Sequence, residues 1–252
     1  MTTSTSAPLR IQICGPLAIE RDGQRLEAAL PGRQGRVLFS FLVVNRHRQV
    51  ARSELADALW PQAHADTVDA RLNPLVSKLR HVLGPASIDA RSTVRLQLPH
   101  VWIDLEAARE AIHRGESAVA RHDWTSAWGP ELVALFVAER GFLPGEDAGW
   151  VDEVRGELQL LRVRALECYA ATSLGIGDTE LAAALRAGYE LVHLAPLRES
   201  GHRALMAALE AQGNLAEALD VYRRLSDELR DQLGVSPSPT TRELYQRLLT
   251  ET

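Results

Sequence analysis

The 252-residue sequence contains no apolar run of the roughly 18 residues that a membrane-crossing helix needs, which excludes a helical membrane protein. Its N-terminal MTTSTSAPLR lacks the basic start and apolar centre of a secretory leader, so the expected location is the cytoplasm and no membrane partner is expected. Cysteine is nearly missing: Cys14 and Cys168 stand far apart, outside any metal-ligand spacing, and read as small buried hydrophobes. The histidines form no HxH or HxxxH pair. His47, His64 and His81 fall on separate elements, so no metal site is expected. No glycine-rich loop ends in Gly-Lys-Ser or Gly-Lys-Thr, and no serine sits in a nucleophile elbow. Glu146-Asp147 and Asp152-Glu153 lie at a helix start, where acids complement the dipole rather than form a catalytic pair. Neither an enzyme nor a cofactor is expected.

Charge is uneven. The net charge is −5, yet residues 1–104 carry 13 Lys and Arg against 9 Asp and Glu, while residues 105–252 carry 15 against 24. The local field at a phosphate-facing surface matters more than the total, so a mildly basic first part is compatible with nucleic acid.

Within that basic part, ARSELADALWP and DTVDARLNPLVSKLRHVLG read as two helices joined by a short connector. Leu72, Leu75, Val76, Leu79, Val82 and Leu83 recur at helical spacing and form one apolar stripe. Ala70, Asn73, Ser77 and His81 occupy the opposite side, flanked by Arg80 on one edge and by Arg71 and Lys78 on the other. That layout is a helix-turn-helix reader: Asn73, Ser77, Arg80 and His81 are the candidates for base edges, Arg71 and Lys78 for phosphates. Pro74 interrupts the pattern, and two outcomes are open: a kink, or a fresh helix start with Asn73 as N-cap and Pro74 at the first helical position.

The flanks fit the same reading. LRIQICG, LAIERDG and QRLEAAL alternate at period two and are separated by Gly15-Pro16 and Asp22-Gly23, predicting three antiparallel strands. PGRQGRVLFSFLVVNRHR predicts a helix with Arg33, Gln34 and Arg36 in its first turn, a candidate phosphate site. SIDARSTVRLQLP predicts a hairpin with Arg91 at its tip and Arg95 on its second strand, further phosphate candidates. Sheet, three helices and hairpin together predict a winged helix-turn-helix domain over 1–104.

From Leu105 onward the pattern is helical. Gly177-Asp178 and Gly213-Asn214 each precede an Ala- and Leu-rich helix, and the 36-residue interval between Asp178 and Asn214 lies close to the tetratricopeptide period of about 34. Each such pair is expected to stop one helix and cap the next. The fold class expected is therefore mainly α: an α+β winged helix-turn-helix part, then an all-α, tetratricopeptide-like helical repeat domain over 105–252. Trp124, Trp128, Phe136, Phe142 and Trp150 are close in sequence and are expected to pack together at the junction; Tyr189, His193, His202 and Arg203 are the polar residues for an effector groove.

Taken in this order, LRIQICGPLAIERDG, PGRQGRVLFSFLVVNRHRQVARSELADALWP, LNPLVSKLRHVLG, HVWIDLEAA and APLRESGHRALMAALEAQGNLAEALDVYRRL resemble the Streptomyces antibiotic regulatory protein family over residues 9–250. In that family an OmpR-type winged helix precedes a bacterial transcriptional activator domain. The resemblance implies a cytoplasmic transcription factor that binds direct repeats in double-stranded promoter DNA and helps to recruit RNA polymerase through its sigma factor region, commonly for secondary metabolism. It also implies roles: the helix from Asp66 to Leu83 for recognition, Arg33 to Arg36 as phosphate anchor, Arg91 to Arg95 as wing. A homodimer and a small-molecule or peptide effector are further candidate partners. The alternative is a tetratricopeptide-type scaffold whose winged helix no longer binds DNA.

Overall fold

Alternation along the first strands places one face of a sheet inward. In the computed structural model, which describes residues 9–62 and 65–250, β1 (Leu9–Gln12) buries Leu9 and Ile11 and exposes Arg10. His64 and nearly all of MTTSTSAPLR lie outside the described residues. The second strand, β2 (Ala18–Arg21), pairs antiparallel with β1 and sets Ile19 opposite Ile11. Asp22 (φ 51°) and Gly23 (φ 78°) then make the tight turn into β3 (Gln24–Arg25), as two positive-φ residues do in a right-twisted hairpin. The third strand is shorter than its alternation predicts. The Glu27 carboxylate accepts the Ile19 N–H (3.1 Å) and the Arg25 guanidinium (2.9 Å), and the chain turns into a 3-10 segment, Glu27–Ala29.

Helix α1 (Gly32–Val44) buries Val37, Leu38, Phe41 and Leu42, as its spacing predicts, and Phe39, Ser40 and Val43 besides; Val44, expected to face inward with them, is only half-buried. After β4 (Val50–Ala51) come α2 (Arg52–Leu59) and α3 (Ala65–Leu83), then the hairpin β5 (Ile88–Ala90) and β6 (Thr93–Leu96). The hairpin register is Ile88 to Leu96, Asp89 to Arg95 and Ala90 to Val94, and β4 adds a third strand beside β6. Two strands escape the sequence pattern: β4, and β7 (Val101–Ile103), which joins β1 in parallel and completes the order β3-β2-β1-β7. Two or three residues are too few to show a period.

The helices α4 (Asp104–Ala120), α5 (Trp124–Glu139) and α6 (Gly149–Ile176) follow, then α7 (Leu181–Leu194), α8 (Glu199–Ala211), α9 (Leu215–Leu233) and α10 (Pro239–Thr250). Among the described residues 68% are helix and 10% strand, so the chain is mainly helical with a small N-terminal sheet region. Two compact units emerge: residues up to Ala107 together with Arg140–Leu158, and Ala108–Glu139 together with Gln159 onward.

In the first unit, Asp104 is fully buried and its carboxylate accepts the N–H groups of Ile13, Cys14 and Leu105 at 2.8–3.0 Å. Burial raises its pKa, against the three N–H bonds and the nearby Arg140, which lower it. The segment 140–158 closes on the same strand end: Gly15 donates to the Gly141 carbonyl (2.7 Å), and Cys14 bridges Phe142. Trp150 meets Phe41 and Phe142 edge-on at 5.0 and 5.8 Å. The five aromatics expected to pack together therefore divide. Trp124 and Trp128 belong to the second unit, against Gly175 and Tyr169, and Phe136 is 60% exposed.

In the second unit α7 and α8 approach closely because small residues face the partner: a Cβ on Gly188 would lie 2.8 Å from the Leu205 Cα. Asn214 occupies the N-cap position of α9 without making a side-chain cap, and Asp178 opens a 3-10 turn, so these pairs act through the positive-φ glycines Gly177 and Gly213 rather than as caps. The polar residues expected in an effector groove are mostly exposed or otherwise engaged: His202 is buried against the Pro196 carbonyl, Arg203 bonds Thr241, and Tyr189 and His193 are exposed. Glu131, on α5, is fully buried; Oε1 accepts the Thr172 hydroxyl (2.7 Å), and burial raises its pKa to about 7.

Because the folded-state pKa of Glu131 is raised above the unfolded value of about 4.3, the stability tied to its proton is complete below that value and is lost as pH rises through about 7. Glu131→Gln is expected to gain on wild type progressively between pH 5 and 8, reaching on the order of 3 kcal/mol by denaturant titration. A pH-independent difference would contradict it. Gly188→Ala is expected to lower stability by about 1–3 kcal/mol by forcing α7 and α8 apart, measured by the same titration.

Candidate nucleic-acid interface

Helix α3 exists because its stripe has a core to bury against: Leu75 and Val82 at its edges are half-buried, while Leu72, Val76, Leu79 and Leu83 of the expected stripe, with Val68 one turn earlier, are each less than a tenth exposed. Each contributes about 1.5–3 kcal/mol, enough together to offset the roughly 3 kcal/mol that a proline costs inside a helix. The helix accordingly runs unbroken through Pro74, and the fresh start with Asn73 as N-cap does not occur. Ala70 and Pro74 are both exposed, so water can reach the Ala70 carbonyl that Pro74 leaves without its helical partner. Asn73, Ser77 and His81 share the exposed side with Arg71 and Lys78, as expected.

The residue that organises this surface has no periodic signature. Arg52, at the first position of α2, donates Nη1–H to Asp69 Oδ1 (2.7 Å) and to Asn73 Oδ1 (3.1 Å), both on α3. Its Nε and Nη2 donate to the carbonyls of Arg91 and Ala90 at the hairpin turn (3.2 and 3.4 Å). One guanidinium thus joins α2, α3 and the hairpin. A cation in the first turn of a helix is disfavoured by the dipole. That local conflict is the one signal in the sequence that Arg52 has acceptors elsewhere.

Arg80 is half-buried, and its Nε donates to the Ile88 carbonyl (2.9 Å), which draws it toward β5 and makes it a brace between α3 and the hairpin. Arg21 adds a second brace by donating to the Leu83 carbonyl at the end of α3 (2.9 Å). Arg71 lies over the Trp60 ring, 5.9 Å from its centre. On the hairpin, Arg91 is 3.7 Å from Asp89, and Arg95 is the cross-strand register partner of Asp89.

The first turn of α1 departs most from expectation. Arg33 pairs with Glu146 at 2.8 Å, and Arg36 lines a depression with Glu27 and Glu146. The Gln34 Oε1 is buried with no hydrogen-bond partner. The Glu146 carboxylate, 113 residues away in sequence, offsets Arg33 and weakens the case for a phosphate there. Among the described residues no group of three or more His, Cys, Asp or Glu side chains could hold a metal, and no helix is long and apolar enough to cross a membrane.

A sequence profile described as the bacterial transcriptional activator domain matches residues 103–249, more than half of the chain. The chain belongs to that family. The resemblance to the Streptomyces antibiotic regulatory proteins stands with it. The regulatory protein AfsR of Streptomyces coelicolor is 32% identical over 97% of this chain and 24% of its own length. The transcriptional regulatory protein EmbR of Mycobacterium tuberculosis is 29% identical over 94% of this chain and 62% of its own length. The chain thus spans about a quarter of AfsR and less than two thirds of EmbR. A solved structure described as Mycobacterium tuberculosis EmbR in complex with low affinity phosphopeptide matches with a TM-score of 0.82 at 27% identity, covering 97% of this chain and 66% of that one. These relatives are named as regulators rather than enzymes.

In this member of the bacterial transcriptional activator domain family, the Arg80 brace carries a testable consequence. Arg80→Ala should speed amide exchange in β5 and β6 by roughly tenfold, the worth of one hydrogen bond, while exchange in the β1–β2 pair is unchanged. Equal acceleration in both sheets would show that Arg80 supports the whole unit rather than the hairpin.

Proposed function

We propose that this chain is a DNA-binding transcriptional regulator of the activator type, acting in the cytoplasm. Its first part works as a winged helix-turn-helix over 1–104 that reads direct repeats in promoter DNA. Its second part, 105–252, works as a tetratricopeptide-like helical domain that supports dimerisation and contact with RNA polymerase through the sigma factor region. The observation that carries the reading is α3: its apolar stripe is buried, while Asn73, Ser77 and His81 stand exposed with Arg71 and Lys78 along one edge. Such a face supplies donors for base edges and cations for phosphates. The names of AfsR and EmbR support regulation of transcription. Secondary-metabolite genes are the proposed targets, and a small-molecule or peptide effector is a further candidate partner.

Within this reading the phosphate roles are redistributed. Lys78 and Arg71 on α3, with Arg91 and Arg95 on the hairpin, carry the phosphate contacts. Arg33, Gln34 and Arg36 are secondary, because Glu146 already offsets Arg33 and Arg36 lines a depression that also contains Glu27 and Glu146.

Lys78 is the only lysine in the chain, which permits a direct test. Promoter DNA should protect Lys78 from amine acetylation, read by mass spectrometry. Lys78→Ala should weaken binding to all sequences alike and flatten the salt dependence of log K by about one charge. Arg33→Ala is expected to change affinity by less than about twofold, since its charge is already offset by Glu146. Unprotected Lys78, with no salt-dependent binding to DNA, would favour the scaffold reading instead.

A further inference from the structure

Asn73 is the exposed amide on the reading side of α3, and the kind of base it can recognise depends on which of its two polar atoms is free. A side-chain amide presents an acceptor and two donors, and it recognises adenine by using both at once, accepting from N6 and donating to N7. Arg52 removes part of that choice. A guanidinium has only donors, so the Asn73 atom 3.1 Å from Arg52 Nη1 must be the carbonyl oxygen; chemistry leaves no alternative orientation while that bond exists. Arg52 is itself held from four directions, by Asp69, Asn73 and the carbonyls of Ala90 and Arg91, and its side chain is only 23% exposed. The Oδ1 acceptor of Asp69 is turned to the same nitrogen. The bonded acceptors Asp69 Oδ1 and Asn73 Oδ1 thus sit against Arg52; the second lone pair of the Asn73 oxygen lies beside that cation, which disfavours a further donor there, so the two N–H groups of Asn73 are the groups left most open to a ligand.

We propose that Arg52 is a specificity-determining positioning residue that biases Asn73 to read as a donor, so that the base it faces is guanine, whose O6 and N7 both accept, rather than adenine. The inference rests on the proposed DNA reading by α3 and deepens it. Arg52 touches no base; it acts through Asn73. The same geometry explains an exposed acid, Asp69, on a surface meant for polyanions: its charge is offset by Arg52 within 2.7 Å.

The test is selection of bound sequences from a randomised duplex pool, using the full chain, followed by titration of the selected duplex with single base replacements. Wild type should select dG at one position per half-site, and Asn73→Ala should lose selectivity at that position alone, with roughly a tenfold loss on the preferred duplex. Arg52→Met keeps the aliphatic stem and removes every donor; it should move the preference at that same position toward dA, because the Asn73 carbonyl is released. If Arg52→Met melts the hairpin, the wild-type protein still decides: 7-deazaguanine at the selected position, which lacks the N7 acceptor, should weaken binding about as much as Asn73→Ala does. Selection of dA at the Asn73-dependent position, indifference of wild type to 7-deazaguanine, or a folded Arg52→Met with unchanged base preference would each overturn the inference while leaving DNA reading intact. Absence of any sequence-selective binding by wild type would overturn the DNA reading itself, and this inference with it.

Discussion

An arginine can only donate hydrogen bonds, and a half-buried one must find acceptors for its donors or leave them stranded. Arg52 meets that requirement with acceptors from two other elements: two side chains on α3 and two carbonyls at the hairpin turn. The candidate interface depends on this constraint. Asp69 and Asn73 also span the turn in which Pro74 removes the bond to Ala70, so the clamp lies across the weakest turn of the helix. An exposed ion pair would contribute little. Here a shared, partly enclosed guanidinium couples three elements that hydrophobic burial alone would leave to settle separately.

The first unit has a second point of closure at the end of β1. Asp104 accepts from Ile13 and Cys14, and the segment 140–158 returns to the same strand through Gly141 and Phe142. Removing that carboxylate would take the side-chain acceptor from the three buried N–H groups of Ile13, Cys14 and Leu105, each worth about 1–3 kcal/mol. The return also brings Glu146 to Arg33, so one closing segment both completes the core around Trp150 and cancels a cation at the start of α1. Packing and electrostatics are linked there.

The helical unit relies on closeness instead. Gly188 and Gly201 let α7 and α8 approach, and Gly175 accepts the face of Trp124. The stop between α9 and α10 is fixed by Gly234 in the left-handed region and by Glu199, whose carboxylate accepts from Ser238 and Thr241. Glu131 is the counterexample, a buried acid with one hydroxyl partner, and it ties the stability of this unit to pH near neutrality.

Period and turn chemistry by themselves determined the order of strands, helices and hairpin, the buried stripe of α3 and the exposed row of Asn73, Ser77 and His81, because each is written within a dozen or so residues. The motif order likewise carried the family. What tertiary structure decided is which polar groups remain free. Arg33 lies 113 residues from Glu146, and Arg52 lies 21 from Asn73 and 39 from Arg91; no local pattern connects such partners. Strand β7 and the return of 140–158 were hidden for the same reason, since pairing between distant segments leaves no period to read. Hydrophobic burial repeats along a chain and so can be seen in it. Satisfying a donor is a single event in space, and only the folded chain shows where it happens.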